Sequence, residues 1–226
     1  MAVYKPVSHV VFDMDGLLID SEQLYYKATK EVCGLFNKEY TWDMKVHTMG
    51  WLGDAASQYI VETLELPITP EKFYKELKKR YATLFPSVQL MPGAERILRH
   101  LHQHKIPIAL GTSSSQENVE LKLKNHKELF SLFHHMVVGS DPDVKNGKPA
   151  PDVFLVCAAR FPERPAPEKV LVFEDAVNGV QAALAAGMQV VMVPSSHIPE
   201  ENCRSATLVI KSLTEIKPEL FGLPAF

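Results

Sequence analysis

Residues 9 to 22, HVVFDMDGLLIDSE, constrain the chain more than any other stretch. His9 to Phe12 form a short apolar, β-branched run, the signature of a buried strand, and it ends in two carboxylates one residue apart followed by a glycine. Packing gives no reason for acids at that place. Residues two apart on a strand point to the same side, so Asp13 and Asp15 are expected to face one small volume just beyond the strand end, with Gly16 freeing the backbone to turn away. Two like charges held that close repel, and burying them unpaired costs on the order of several kcal/mol. A cation between them removes that cost, and hard oxygen ligands with positions left for water and phosphate suit Mg²⁺ better than zinc. A strand ending in a solvated DxDG turn fits the tetrapeptide about equally well, because Asp and Gly are ordinary turn residues. Three later segments bear on the choice.

With 24 basic against 27 acidic residues the net charge is -3, which offers no electrostatic footprint for nucleic acid and no polybasic segment for an anionic membrane. The 226 residues suffice for one sizeable core, or a core with a smaller insertion. Cys33, Cys157 and Cys203 are far apart and include no CxxC, so they read as reduced thiols and not as a disulfide framework or zinc site. The N-terminal apolar run is too short for a signal peptide and no stretch approaches a membrane span, so a cytoplasmic protein is expected; a monomer is the working expectation, which nothing in the sequence derives.

After Gly16 the pattern is helical for a long stretch, over Glu22 to Phe36, Gly53 to Leu64 and Thr69 to Leu84, the last opened by a Thr-Pro-Glu start signal. Between the first two lies a long charge-poor loop, KVHTMGWLGD. Met91-Pro92-Gly93 marks the return to alternation: a helix from Ala94, the strand KIPIALGT ending in the hydroxyls Thr112, Ser113, Ser114 and Ser115, a strand at Met136 to Gly139, a helix over Asp152 to Arg160, the strand Val170 to Phe173, a helix over Val177 to Ala186, and strands at Gln189 to Val193 and Thr207 to Ile210. Apolar strands alternating with helices predict an α/β fold, a parallel sheet covered by helices on both faces. Residues 1–16 and 89–226 make up this core, and residues 17–88 an inserted all-helical cap.

In such sheets ligands sit beyond the carboxyl ends of the strands, where Asp13 and Asp15, Thr112 and Ser113, and Glu174 and Asp175 all fall. Thr112 and the backbone N–H groups after it offer a seat for phosphate oxygens, while Ser114 and Ser115 read better as helix caps. Lys148, in the proline-flanked loop NGKPAPD, is a counter-ion for the nearby acids. Asp175 can cap the following helix but is better explained as a third ligand of a hard cation, with Asn178 close enough to bind an acid or a water.

DMDG, Thr112, the Lys148 of GKPAPD and FEDAVNG, in this order and spanning the whole core, resemble the four motifs of the haloacid dehalogenase-like hydrolases, and within them the β-phosphoglucomutase-like branch with a helical cap. The resemblance implies a modified Rossmann core and Mg²⁺-dependent hydrolysis of a small-molecule phosphomonoester through an aspartyl-phosphate. It makes Asp13 the nucleophile and a metal ligand, and Asp15 the general acid and base with its main-chain carbonyl on the metal. Thr112, Ser113 and Lys148 then bind the phosphoryl group, Asp175 binds Mg²⁺, and Glu174 helps through water. The substrate it suggests is pseudouridine 5'-phosphate, with glycerol phosphate or a small sugar phosphate as the alternative. A non-catalytic phosphate-binding protein on the same fold is the alternative of a different class.

Phosphomutases of this branch carry basic residues after the cap-loop glycine and after the strand-end hydroxyls, and a histidine on the first cap helix. This chain has Trp51, Ser115 and Tyr25 at those places, which favours hydrolysis over intramolecular transfer. Tyr25 and Trp51 are candidate specificity residues in the cap. Trp51 suits stacking on a uracil-like ring, although a cap tryptophan more often serves packing alone.

Overall fold

In the computed structural model, which describes residues 3–226, six strands form one parallel sheet in the order β3-β2-β1-β4-β5-β6. They are β1 (His9–Phe12), β2 (Ile108–Gly111), β3 (His135–Val137), β4 (Val170–Glu174), β5 (Gln189–Met192) and β6 (Leu208–Val209). β1 is central, pairing Val10 with Ile108 on one side and with Leu171 on the other. The strand order reverses there, so the crevice of the sheet opens above β1. Met1 and Ala2 lie outside the described residues, and the expected approach to the first strand holds from Val3 onward.

Side-chain parity on the strands builds the two apolar layers. Val10, Phe12, Leu110, Leu171 and Phe173 face a core completed by helix α5 (Ala94–Gln103) and the C-terminal segment through Phe221. Val11, Ala109 and Val172 face the opposite core, completed by α8 (Asp152–Arg160) and α9 (Val177–Ala185). Both faces of the central strands are dry, which explains why the strands read as unbroken apolar runs rather than alternating ones. Phe12 stacks on Phe173 at 4.8 Å across the β1–β4 pair.

Four helices lie between β1 and α5: α1 (Glu22–Gly34), α2 (Trp42–Thr48), α3 (Gly53–Thr63) and α4 (Pro70–Leu84). They share a separate apolar cluster of Ala28, Val32, Ile60, Phe73, Leu77 and Phe85. The two chain crossings between this bundle and the sheet are hydrogen-bonded to each other, Asp20 N–H to the Gln89 carbonyl (2.8 Å) and Met91 N–H to the Leu18 carbonyl (2.9 Å).

The elements depart from expectation in a few places. Lys45 to Thr48, expected in a loop, form the last turn of α2, which Thr41 caps by accepting from Met44 N–H (3.4 Å). Seven residues are too few for helical periodicity to emerge from the sequence. The loop is also less charge-poor in effect, since Lys45 is buried against Glu22. Helix α1 stops at Gly34, with Asn37 in the left-handed region at φ 56. β3 begins at His135 and ends at Val137, leaving Gly139 to the loop beyond it. Two short helices follow β2, α6 (Gln116–Lys122) and α7 (Lys127–Phe130), and α10 (Glu200–Cys203) precedes β6. Among the described residues no helix is long and apolar enough to cross a membrane. Phe12→Ala is expected to lower stability by about 3–5 kcal/mol, because it empties a fully buried site between the sheet and α5; urea denaturation followed by fluorescence measures the change.

Candidate active site

The polar strand ends meet above β1. Asp13 follows β1, Glu174 ends β4, and Asp175 follows it, and these three buried residues each bring a carboxylate oxygen within 4.8 Å of the others. Lys148 stands among them, fully buried. Its Nζ donates to Asp13 Oδ1 (2.5 Å), Glu174 Oε1 (2.6 Å) and the Gly111 carbonyl (3.3 Å). Glu174 is fixed in turn, because its Oε2 accepts the backbone N–H groups of Asp175 (2.9 Å) and Ala176 (3.0 Å). Two glycines make the room. A Cβ at Gly179 would overlap the Glu174 carboxylate, and one at Gly16, whose φ of +80 already favours glycine, would overlap Asp175 Oδ2.

Asp15 turns elsewhere. The strand period ends at Phe12, so parity no longer aims residue 15, and its carboxylate sits outside the acidic triad on the helix α6 side. Lys122 Nζ donates to Asp15 Oδ1 at 2.5 Å, with further bonds from Ser21 Oγ (2.6 Å), Ser114 Oγ (2.8 Å) and Thr112 Oγ1 (3.3 Å). The expectation that the two aspartate side chains share one cation is thus corrected: Asp15 has its own lysine, and only a backbone atom of Asp15 remains as a candidate metal ligand. Lys122 is fully buried and also donates to Tyr25 Oη (2.6 Å) and Ser114 Oγ (2.7 Å).

These surroundings drive the two aspartates apart. Burial pushes the Asp13 carboxyl up to about 8, with the Lys148 ammonium pulling against it and the Glu174 and Asp15 charges adding to it. Asp175 is raised well above the carboxylate range, first by burial, then by Glu174 and Asp13. Burial acts the same way on Asp15, but Lys122 and the hydroxyls outweigh it and hold the acid below its ordinary value. For Lys148 the neighbouring carboxylates outweigh burial and keep the ammonium above its ordinary value.

With Asp13, Asp15, Glu174 and Asp175 all ionised, the four carboxylates exceed Lys122 and Lys148 by two negative charges. Burial together with this excess is why Asp13 and Asp175 hold protons so strongly without a cation, and Asp175 Oδ2 is buried with no hydrogen-bond partner. An all-oxygen donor set with an orphan carboxylate oxygen and an excess of two charges fits a hard divalent cation held by Asp13 and Asp175.

Other candidates find different places. Thr112 is buried and accepts Ser114 N–H (3.1 Å) while donating to Asp15. The Ser113 hydroxyl donates to the Gly50 carbonyl (2.7 Å), tying the strand end to the loop between α2 and α3. Asn178, expected beside the acids, donates instead to the Met49 carbonyl (2.9 Å), because that same loop folds over the first turn of α9. Ser115 caps α6 as expected, its Oγ accepting Asn118 N–H (3.4 Å), whereas Ser114 holds Asp15 and caps nothing. Trp51 packs against His47 (5.2 Å) and Tyr59 (5.7 Å) while lining the cavity that opens from the acids. Tyr25 lines it too, with its hydroxyl bonded to Ser114 (3.0 Å).

Sequence reasoning missed Lys122, Ser21 and the buried Glu22–Lys45 pair. A signal for Lys122 exists: it lies three residues after Val119 and just before Leu123, on the buried stripe of α6. Lys122→Met is expected to destabilise the protein by about 3 kcal/mol, at the low end for breaking a buried ion pair because hydroxyls still hold Asp15. Adding Asp15→Asn should restore part of the loss, and a double-mutant cycle by chemical denaturation measures the coupling.

Comparison with known proteins agrees with the geometry. A family model described as haloacid dehalogenase-like hydrolase matches residues 10–193. A probable pseudouridine-5'-phosphatase of Drosophila melanogaster is 51% identical over 99% of this chain and 97% of its own length. A (DL)-glycerol-3-phosphatase 2 of Arabidopsis thaliana is 45% identical over 97% of this chain and 93% of its own. Among solved structures, a putative beta-phosphoglucomutase from Thermotoga maritima superposes with a TM-score of 0.69 at 32% identity, covering 95% of this chain and 97% of that one. From motifs, fold and these likenesses together, the chain belongs to the haloacid dehalogenase-like hydrolases.

Proposed function

We propose that the protein is a Mg²⁺-dependent phosphomonoester hydrolase that works through an aspartyl-phosphate on Asp13. The observation that carries this reading is the division of labour between the two aspartates. Asp13 sits in the acidic triad against Lys148, and Asp15 sits beside it on a separate lysine and a set of hydroxyls.

The Asp13 oxygen attacks phosphorus and the bond to the leaving oxygen breaks, with the proton for that oxygen coming from Asp15. Water then attacks the phosphorus of the acyl phosphate, Asp15 takes the water's proton, and the bond from phosphorus to Asp13 breaks to release inorganic phosphate. Lys122 favours the ionised Asp15 needed for the second step, and the arriving phosphate dianion opposes that field and favours the protonated acid needed for the first. Lys148 offsets the repulsion between carboxylate nucleophile and anionic ester, while Thr112 and the Ser113 backbone N–H would orient phosphoryl oxygens. Asp13, Asp175 and the Asp15 main-chain carbonyl would hold Mg²⁺, with Glu174 buttressing through water. The ion supplies charge neutralisation for the phosphoryl group.

For the substrate, the likeness to the fly phosphatase supports pseudouridine 5'-phosphate, and the likeness to the plant enzyme supports glycerol phosphate as the second reading. The Trp51, Ser115 and Tyr25 positions supply no base for a second phosphate, which supports hydrolysis over phosphoryl shuttling within one sugar.

Purified protein with Mg²⁺ is expected to release phosphate from an aryl phosphate and to stop on addition of EDTA. Asp13→Asn should lower turnover by about a thousandfold or more while leaving the melting temperature within a few degrees. Retained turnover in that variant, or failure of acid-quenched mass spectrometry to find phosphate on Asp13, overturns the assignment.

A further inference from the structure

The cavity that opens from the acids lies between the helical bundle and the sheet, has a volume of about 100 Å³, and is lined by residues of both. Besides the acids Glu22 and Asp175, two neutral lining side chains are almost completely buried and yet have a polar atom without a partner in the protein. Ser57, on α3, is 1% exposed and its Oγ has none; Asn118, on α6, is 4% exposed and its Oδ1 has none. Buried polar atoms are nearly always paired, and an orphan in a packed interior weakens the fold. Two such neutral orphans in the lining of one cavity, one from the helical bundle and one from the sheet side, mark a place where a ligand's own groups complete the hydrogen bonding.

The charges in the same wall narrow the ligand. Among the described residues lining the cavity Lys45 is the only cation, and it is buried against Glu22. The lysines beneath, Lys122 and Lys148, are already committed to Asp15 and to Asp13 and Glu174. A second phosphate or a carboxylate on the leaving group would therefore enter with no counter-ion and pay its desolvation unaided. A neutral group meets no such barrier, and one that carries O–H or N–H donors finds an acceptor at Asn118 Oδ1 and a hydroxyl at Ser57.

We propose that Asn118 and Ser57 form a specificity subsite that selects phosphomonoesters with a neutral, hydrogen-bond-donating leaving group, and that the paired state of Lys45 excludes leaving groups carrying a second anion. This rests on the hydrolase reading above and adds the class of leaving group. Discrimination by a buried polar pair is strong because an analogue without donors leaves both acceptor sites unpaired, whereas apolar contacts discriminate weakly.

The test is kcat/KM with Mg²⁺ for pseudouridine 5'-phosphate, uridine 5'-phosphate and glycerol 3-phosphate, with an aryl phosphate lacking donors and phosphoglycolate as comparators. At least one donor-bearing neutral ester is expected to exceed both comparators tenfold or more. In Asn118→Leu and Ser57→Ala the ratio of that ester to the aryl phosphate should fall about tenfold or more, whereas Asn118→Asp, which keeps an acceptor at the position, should retain more of it. Removing an orphan atom takes away no protein contact, so Ser57→Ala should melt no lower than the parent, an outcome opposite to that of a purely structural serine. Phosphoglycolate turned over as well as the neutral esters, or ratios unmoved by Asn118→Leu and Ser57→Ala, would overturn the inference. If the parent protein hydrolyses none of the five esters, the hydrolase reading itself fails. Activity on the aryl phosphate with unmoved ratios sinks only the subsite.

Discussion

One ammonium group set inside a ring of carboxylates governs the carboxyl end of this sheet. Lys148 gives its three N–H donors to Asp13, Glu174 and the Gly111 carbonyl, and so ties the ends of β1, β2 and β4 together at a single nitrogen. Without it, three acids at one strand-end level would repel each other in a poorly hydrated place, and the most economical response would be protonation. Glu174 is anchored from behind by two backbone N–H groups and by the absence of a side chain at Gly179. That anchoring frees Asp13 and Asp175 to present oxygens outward. The orphan oxygen of Asp175 and the excess of negative charge are what remain after Lys148 has been satisfied, and they are what a divalent ion would meet.

The same chain segment gives two acids opposite temperaments by assigning them to different lysines. Asp13 and Asp15 are two residues apart, yet burial among acids raises the first while Lys122 and its hydroxyl partners depress the second. Pairs of carboxyls whose surroundings pull their proton affinities apart are a recurring way to obtain different roles from one side-chain type. The means here is local. The strand ends at Phe12, the backbone turns through Met14 and Gly16, and the two side chains leave the turn toward different neighbours.

Much of this was legible in the sequence, for identifiable reasons. Fully buried parallel strands leave continuous apolar runs, and polar residues at their ends stand out, so Asp13, Thr112, Glu174 and Asp175 could each be located from spacing and gathered by topology, whereas Lys148 stood out by its proline-flanked loop and the family motif. The bundle between β1 and α5 was legible from helical spacing and from the start signal at Thr69. What escaped lies where periodicity is silent. Lys122 sits on a seven-residue helix, where a lysine ordinarily reads as solvated, and only three-dimensional closure against Tyr25 and Phe85 buries it. The direction of Asp15 escaped because the two-residue alternation was extended past the end of the strand. Asn178 was assigned to the wrong partner because a loop distant in sequence, carrying Met49, folds over it. Ser57 and Asn118 have no motif at all; their interest comes from partners they lack.

The two chain crossings, bonded to each other through Asp20 with Gln89 and Leu18 with Met91, have a mechanical corollary. Gly16 N–H closes onto the Ile19 carbonyl, Asp15 bridges to Ile19, and Ile19 bridges to Leu90, so the turn bearing Asp15 is also the fulcrum on which the helical bundle is mounted. A lever pivoted at that point moves its far end most and its pivot least. Rocking of the bundle would have to break the Ser113–Gly50 and Asn178–Met49 bonds that hold the Trp51 loop to the sheet, while the aspartate at the fulcrum stays nearly still.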